Sequence, residues 1–351
     1  MYRNNSIGVV VPAYNEAGLV GDVIETIPDY VDRAYVIDDR STDETWTEIQ
    51  EAAARVNRRR TEETSIDARA TVPLATASES ETTLTDGGQN PVGPVVPLRN
   101  ERNMGRGASV KRGFEHALAD DIDVVAMMDG DGQMDPEVLD HLLDPIVEDR
   151  ADYTKGNRLM AGGGWAGMSR FRLFGNHVLS FLTKFSTGYW AVGDSQNGYA
   201  AISSEMLRRL DIDGLYADYG FENDILAKLN LLDARVADVP HPAVYGNETS
   251  TIRYETFIPR VSVLLARNFG RRVESKYLRG GFHPIALCYA FAVAALLVGV
   301  VSTAYSFVLW AQGSLVPALV SSLALLVGGL LLVAALAFDV RLNAHLAAEA
   351  E

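Results

Sequence analysis

Two uninterrupted apolar stretches near the C-terminus constrain this chain most. They run from about Pro284 to Trp310 and from about Leu315 to Phe338, and neither holds a charged side chain. Each is long enough to cross about 30 Å of hydrocarbon as a helix. Only Ala311-Gln312-Gly313-Ser314 separates them, so the expected form is a tight antiparallel hairpin with both outer ends on one side. Arg267, Arg271, Arg272, Lys276 and Arg279 precede the first stretch, and the turn carries no Lys or Arg. That asymmetry places the outer ends in the cytoplasm. The competing arrangement is an apolar helix pair buried in a soluble domain.

The chain therefore divides into a body over residues 1–250, a juxtamembrane segment over 251–283, a hairpin over 284–338 and a tail over 339–351. Ser6 to Val11 reads as a strand, not as a secretory leader, so the body is expected to stay in the cytoplasm. The single cysteine, Cys288, lies within the first span and leaves no intrachain disulfide or thiolate zinc cluster to consider. His241 and His283 have no local ligand set for zinc. With 31 Lys and Arg against 46 Asp and Glu, the formal charge is -15. Such a balance argues against a nucleic-acid backbone as partner and fits a salt-adapted, halophilic cytoplasm. Against it, the basic cluster beside the spans stands out as an anchor for anionic lipid headgroups or a site for a lipid phosphate.

The first 160 residues alternate short apolar strands with amphipathic helices, the pattern of an α/β fold with a mostly parallel sheet covered on both faces. Strands are expected at Ser6–Val11, Ala34–Ile37, Val95–Leu98 and Val124–Met127. Helices are expected at Ala17–Ile27, Thr45–Val56 and Ala108–Leu118. Between Asn57 and Pro94 the periodicity fades into Arg, Thr, Glu, Ser, Gly and Pro, which predicts a flexible insertion. Sites in such sheets gather at the C-terminal ends of strands, and Asn15, Asp38, Asp39, Asp129 and Asp131 all follow strands.

Asp38 and Asp39 can accept hydrogen bonds from a base or ribose hydroxyl, or serve as turn and capping acceptors beside Ser41, Thr42 and Asp43. In Asp129-Gly130-Asp131 alternate carboxylates on a short turn can converge on a hard divalent cation that also holds a diphosphate; a solvated acidic turn is the plain alternative. Gln133 stands close by, and Asp135 precedes Pro136 as a helix cap. Asn100 to Gly113 is glycine-punctuated and basic ahead of a helix, suited to a diphosphate or to an ordinary strand-to-helix turn. It lacks the dinucleotide fingerprint, which argues against NAD or FAD.

These landmarks, in this order, resemble the family 2 glycosyltransferases of GT-A fold, in particular the archaeal polyprenyl- or dolichyl-phosphate hexose synthases that make dolichyl-phosphate mannose or glucose. The resemblance implies a nucleotide-sugar donor contacted by Pro12, Ala13, Tyr14 and Glu16, with Asp38 and Asp39 on base and ribose. It implies that Asp129, Asp131 and Gln133 hold Mg²⁺ or Mn²⁺ and the diphosphate, and that Arg158 of Lys155-Gly156-Asn157-Arg158 lies near the reacting phosphates. Asp194 and Gln196 would shape the sugar and metal-diphosphate sides, while Glu222-Asn223-Asp224 occupies the acceptor side or caps a helix. Ser250 and Arg253 stand in a loop that resembles the family's closing acceptor loop, although Thr251 replaces the usual basic residue.

Ser169 to Trp190 has aromatic and aliphatic residues at helical spacing beside Arg170, Arg172 and Lys184, the pattern of an interface helix or of a helix packed on the sheet. In the first case Arg170 would meet the phosphate of a dolichyl or other polyprenyl phosphate acceptor. A second amphipathic stretch, Tyr254 to Val273, leads back to the membrane lipids. A processive polysaccharide synthase fits less well, because two spans make a poor channel and no Gln-x-x-Arg-Trp segment follows. A catalytically silent nucleotide-sugar-binding scaffold is the alternative from another class. The spans also allow a homo-oligomer.

Overall fold

The computed structural model describes residues 1–70, 93–160, 170–242, 254–279, 281–309 and 316–350. At its centre is an eight-stranded sheet of order β3-β2-β1-β4-β6-β5-β7-β8. The strands are β1 (Ile7–Ala13), β2 (Arg33–Asp38), β3 (Val95–Arg99), β4 (Val124–Met127), β5 (Tyr153–Asn157), β6 (Ala200–Ser203), β7 (Val236–Pro240) and β8 (Ala347–Ala348). All neighbours are parallel except at β6, which runs antiparallel to both β4 and β5. Because one strand reverses between them, β4 and β5 point the same way. The C-terminal ends of β1, β2, β4, β5 and β7 therefore meet along one edge, where sites of such sheets form.

Alternation builds the two faces. Ile7, Val9, Val11 and Ala13 of β1 enter one core with Leu139, Leu142 and Leu143, while Val10 enters the other with Phe114, Phe221 and Leu229. Strands buried on both sides read as continuous apolar runs for that reason. The covering helices include α1 (Val20–Thr26), α2 (Thr45–Ala70), α3 (Arg106–Ala119), α4 (Leu139–Val147), α5 (Arg170–Thr187), α6 (Ser204–Arg209) and α7 (Phe221–Leu231). The segment expected to lose its structure after Val56 instead continues α2 as far as Ala70. Tertiary bonds explain this. The Asn57 side chain both donates to the Val95 carbonyl and accepts from the Val95 amide at 2.9 Å, while Arg60 donates to the carbonyls of Pro28, Asp29 and Val31. The rest of the expected insertion, from 71 to 92, lies outside the described residues.

The chain leaves the sheet through α8 (Tyr254–Glu274) and a π turn at Ser275–Arg279, then enters α9 (Pro284–Leu309) and α10 (Val316–Asn343). These last two helices are long and apolar enough to span a membrane, and most of their residues lie outside the packed interior. That exposure argues against the soluble-core alternative, so the protein is membrane-associated. After α10 the tail returns to the sheet: β8 pairs with β7, Leu346 is buried in one core and Ala350 packs against the other. Body and tail thus share one side of the hairpin.

One buried ion pair joins hairpin to body. The Arg272 guanidinium of α8 meets Asp339 of α10 with both forks, at 2.7 and 3.0 Å, and both side chains are fully buried. Its other N–H groups donate to the carbonyls of Ser186 at 3.1 Å and Phe185 at 3.0 Å, at the end of α5. Asp339 also accepts from Tyr277 and, at 3.2 Å, from Asn343. Around it Phe185 stacks on Phe269 at 4.4 Å, with Tyr289 edge-on to both. Breaking a buried pair strands the remaining charge, at a cost of about 3–5 kcal/mol. Arg272→Met should lower stability in detergent by about that amount, and Arg272→Met with Asp339→Leu should recover much of it. A double variant as unstable as the single one would show that the pair does not carry the junction.

Candidate active site

The loops after β1 and β2 are sewn together before any ligand is considered. Asn15, at φ +57°, donates its amide to Ser41 Oγ at 2.9 Å and accepts from the Thr42 amide at 2.9 Å. The Glu16 amide donates to Thr45 Oγ1 at 2.8 Å. Pro12 and Ala13 are buried at the strand end, Glu16 is half-buried, and Tyr14 stands exposed. This gives the first expected donor contacts a fixed backbone and leaves one aromatic ring open to the edge.

Both acids that follow β2 are buried and engaged. Asp38 accepts from the Ser41 amide at 2.9 Å and pairs with Arg99 at 2.8 Å, whose guanidinium lies over Trp46. Asp39 accepts from Asn100 Nδ2 at 2.7 Å and from the amides of Met104 and Gly105 at 2.9 and 2.7 Å. In this state, then, Asp39 anchors the glycine-rich loop ahead of α3. Gly105 has φ +91°, and a Cβ there would lie 2.7 Å from the Ala217 carbonyl oxygen, so the loop turns there only with glycine.

The acidic turn sits across β1. Its Gly130 amide donates to the Pro12 carbonyl at 3.1 Å, and the Gln133 amide donates to Asp131 Oδ1 at 3.0 Å. Asp129, Asp131 and Gln133 are each half-buried at the edge. Among the described residues no group of three His, Cys, Asp or Glu side chains could enclose a metal. Two carboxylates and an amide on this turn are hard oxygen donors, the chemistry that suits a divalent cation taking further ligands from diphosphate oxygens.

Arg158, directly after β5, holds Asp194 bidentately, Nε to Oδ2 at 2.7 Å and Nη2 to Oδ1 at 3.2 Å. Burial alone would raise the Asp194 carboxyl, but Arg158 holds it below the usual carboxylate range. Gln196 donates to Ser195 Oγ at 3.1 Å and Asn223 Oδ1 at 3.2 Å. Glu222 at the start of α7 pairs with Arg106, and Asp224 accepts from the Tyr216 amide at 2.9 Å and from Lys228 at 2.7 Å. Arg170 opens α5, its side chain outside the described part; Ser250 and Arg253 lie outside the described residues altogether.

The sequence did not single out the buried polar layer beneath this edge. Lys155 is fully buried in β5, in register with Asp238 of β7, and donates to the Asn197 carbonyl. Burial lowers its affinity for a proton. Asp238 accepts from Asn157 Nδ2 and from the Gly193 amide at 3.0 Å, while its Oδ1 has no hydrogen-bond partner among the described residues. His241 Nδ1 lies 2.8 Å from the Pro242 carbonyl, so that nitrogen carries the proton and Nε2 accepts from Asn197. The signal was a lysine inside a strand whose every residue is buried, which only the fold reveals.

Burial pushes the Asp238 carboxyl up to about 6. The folded protein therefore holds this proton more tightly than the unfolded chain, whose carboxyl titrates near about 4. The residue's contribution to stability is full below that value and is lost as the pH rises through about 6. Asp238→Asn should accordingly be more stable than the parent at pH 7.5, by roughly 1–3 kcal/mol, with the gap closing at pH 4. Thermal unfolding across that range checks this; a variant less stable at pH 7.5 would mean an ionised Asp238 paired with Lys155.

With the geometry in view, the likenesses to other proteins become informative. The chain is 27% identical over 242 residues, 68% of its length and 86% of the other, to the UDP-N-acetylglucosamine–dolichyl-phosphate N-acetylglucosaminyltransferase of Methanococcus voltae. It is 30% identical over 147 residues, 42% of its length and 55% of the other, to the polyprenol monophosphomannose synthase of Mycolicibacterium smegmatis. Among solved structures, glucosyl-3-phosphoglycerate synthase of Mycobacterium tuberculosis with Mn²⁺ and UDP-glucose superposes with a TM-score of 0.50 at 19% identity, over 76% of this chain and 80% of that one. That likeness bears on the GT-A-like fold. The model of glycosyl transferase family 2 matches residues 8–72 and 89–211, the sheet edge and its loops, and the chain belongs to that family.

Proposed function

We propose that this family 2 glycosyltransferase moves a sugar from a nucleotide sugar to a polyprenyl phosphate of the dolichyl type, at the cytoplasmic face of a membrane. The observation that carries the reading is the junction described above. The catalytic body is bonded through Arg272 and Asp339 to two helices long enough to span a membrane, which ties it to the membrane. A soluble acceptor has no need of that attachment. The curated relatives' names, a dolichyl-phosphate N-acetylglucosaminyltransferase and a polyprenol monophosphomannose synthase, support the same acceptor class. The exposed Val178, Phe181 and Leu182 of α5 and Ile258 and Val263 of α8 suit helices that lie in the headgroup region.

The donor would rest against Pro12, Ala13, Tyr14 and Glu16, with its ribose and base toward Asp38 and Asp39. Asp129, Asp131 and Gln133 would hold Mg²⁺ or Mn²⁺, which, when bound, supplies positive charge to the departing diphosphate; the Mn²⁺ in the solved mycobacterial enzyme is consistent with this. Arg158, already aligned by Asp194, presents its planar fork to phosphate oxygens. Gln196 stiffens the wall on the sugar side through Asn223. Arg170, Ser250 and Arg253 are the proposed partners of the acceptor phosphate. A phosphate monoester is anionic near neutral pH, so its oxygen can attack the anomeric carbon without a strong general base. Direct displacement with inversion follows if the acceptor is held in line with the leaving group.

The test is transfer by purified protein in lipid, with UDP-glucose, UDP-N-acetylglucosamine and GDP-mannose as donors and dolichyl phosphate as acceptor, against 3-phosphoglycerate as a soluble comparison. Labelled lipid from one donor is expected, reduced on the order of 100-fold or more in Asp131→Ala. In Arg158→Lys, turnover should fall by roughly 10- to 100-fold because the bidentate geometry is lost. Transfer to the soluble acceptor alone would overturn the lipid reading, and donor binding without transfer to either would favour the silent scaffold.

A further inference from the structure

Among the described residues, Arg106 is a cation in contact with the acidic turn, and it has no part in the chemistry above. It opens α3 directly after Gly105, and the Asp39 carboxylate pins the Gly105 amide at 2.7 Å. Its Nε donates to Asp129 Oδ1 at 2.7 Å, Nη1 donates to Glu222 Oε1, and Nη2 faces the Gly198 carbonyl at 3.5 Å. Position 198 must be glycine for this arrangement. A Cβ there would stand 2.2 Å from Arg106 Nη2 and 2.8 Å from Asp129 Oδ2. The guanidinium and the carboxylate thus share a notch built to their size, and one arginine bridges a carboxylate of the acidic turn to an acid at the start of α7.

A carboxylate oxygen already held by a guanidinium is a poorer ligand for a free cation, and the fixed positive charge repels a dication that arrives bare. A diphosphate changes both terms. It brings negative charge that the guanidinium can accept in place of Asp129, with Glu222 holding the arginine at the site during the exchange. We infer that Arg106 is an exchangeable counter-ion for Asp129. It occupies that carboxylate while the donor is absent and passes to the diphosphate when nucleotide and divalent cation bind together. The site thereby favours the metal–nucleotide pair over the metal alone. Arg106 is a positioning residue in this scheme, and the inference rests on Asp129 and Asp131 being the donor's metal site.

Electron paramagnetic resonance of Mn²⁺ titrated into the full-length protein in nanodiscs, with and without UDP, reads the exchange directly. The parent should bind Mn²⁺ weakly alone and more tightly with UDP. Arg106→Gln should bind Mn²⁺ alone on the order of tenfold tighter, with the gain from UDP reduced by a similar factor. Glu222→Gln should shift the other way, because the arginine then turns wholly to Asp129. Arg106→Lys, which keeps the charge without the fork, should fall between parent and Arg106→Gln and serves if the latter fails to fold. If the parent binds Mn²⁺ with UDP but Arg106→Gln binds Mn²⁺ alone no more tightly, or Arg106→Lys and Glu222→Gln shift the same way, the exchange is refuted and the metal site stands. If the parent binds no Mn²⁺ even with UDP, the metal site is refuted and the exchange with it.

Discussion

The Arg272–Asp339 ion pair is where the soluble and apolar parts of this molecule become one body. A guanidinium removed from water must have nearly all its donors satisfied, and here they are shared among Asp339, Tyr277 and the last carbonyls of α5. One side chain therefore fixes three elements: α8, which leads to the hairpin; α10, which leaves it; and α5, whose first residue is Arg170. The geometry that makes the pair strong also makes it intolerant, since a charge left alone in such a place has no water to turn to. With α10 fixed, the tail is delivered to β7 and the sheet gains its last strand.

The same logic recurs at the catalytic edge, with more solvent and looser stakes. Arg99 holds Asp38, Arg106 holds Asp129 and Glu222, and Arg158 holds Asp194. In a chain with a formal charge of -15, positive groups at the site would otherwise be drawn to whichever acid lay nearest. Each arginine here has a designated carboxylate that sets its direction. An anionic ligand reaching these arginines would have to compete with partners already in place, so its binding energy would be a difference between two sets of charge-assisted interactions. Beneath them, Lys155 and Asp238 face each other across β5 and β7, and their burial shifts both toward their neutral forms.

Much of the fold was legible from periodicity. The strands at Ile7, Arg33, Val95 and Val124 stand where apolar runs end in turn residues, because burial on both faces leaves few other sequences. Periodicity ends α2 near Val56, since its second half has little apolar face and is held by Asn57 and Arg60 reaching the backbone of other elements. No local window contains that information. β8 was invisible for the same reason: two alanines make a strand only because a sheet edge is waiting for them.

Of the site, the sequence by itself determined the inventory: an acidic turn after β4, paired acids after β2, a glycine-rich basic loop and two apolar helices at the membrane. Residue type and spacing carry that much because oxygen donors, cations and hydrocarbon each have one chemistry wherever they fall. Only the tertiary structure decided the pairing. Asp39 went to the amides of its neighbouring loop, Gln196 to Asn223, and Arg106 to Asp129 and Glu222. Electrostatic partners are chosen by distance in space and by what water is excluded, and neither is written in the order of residues along a chain.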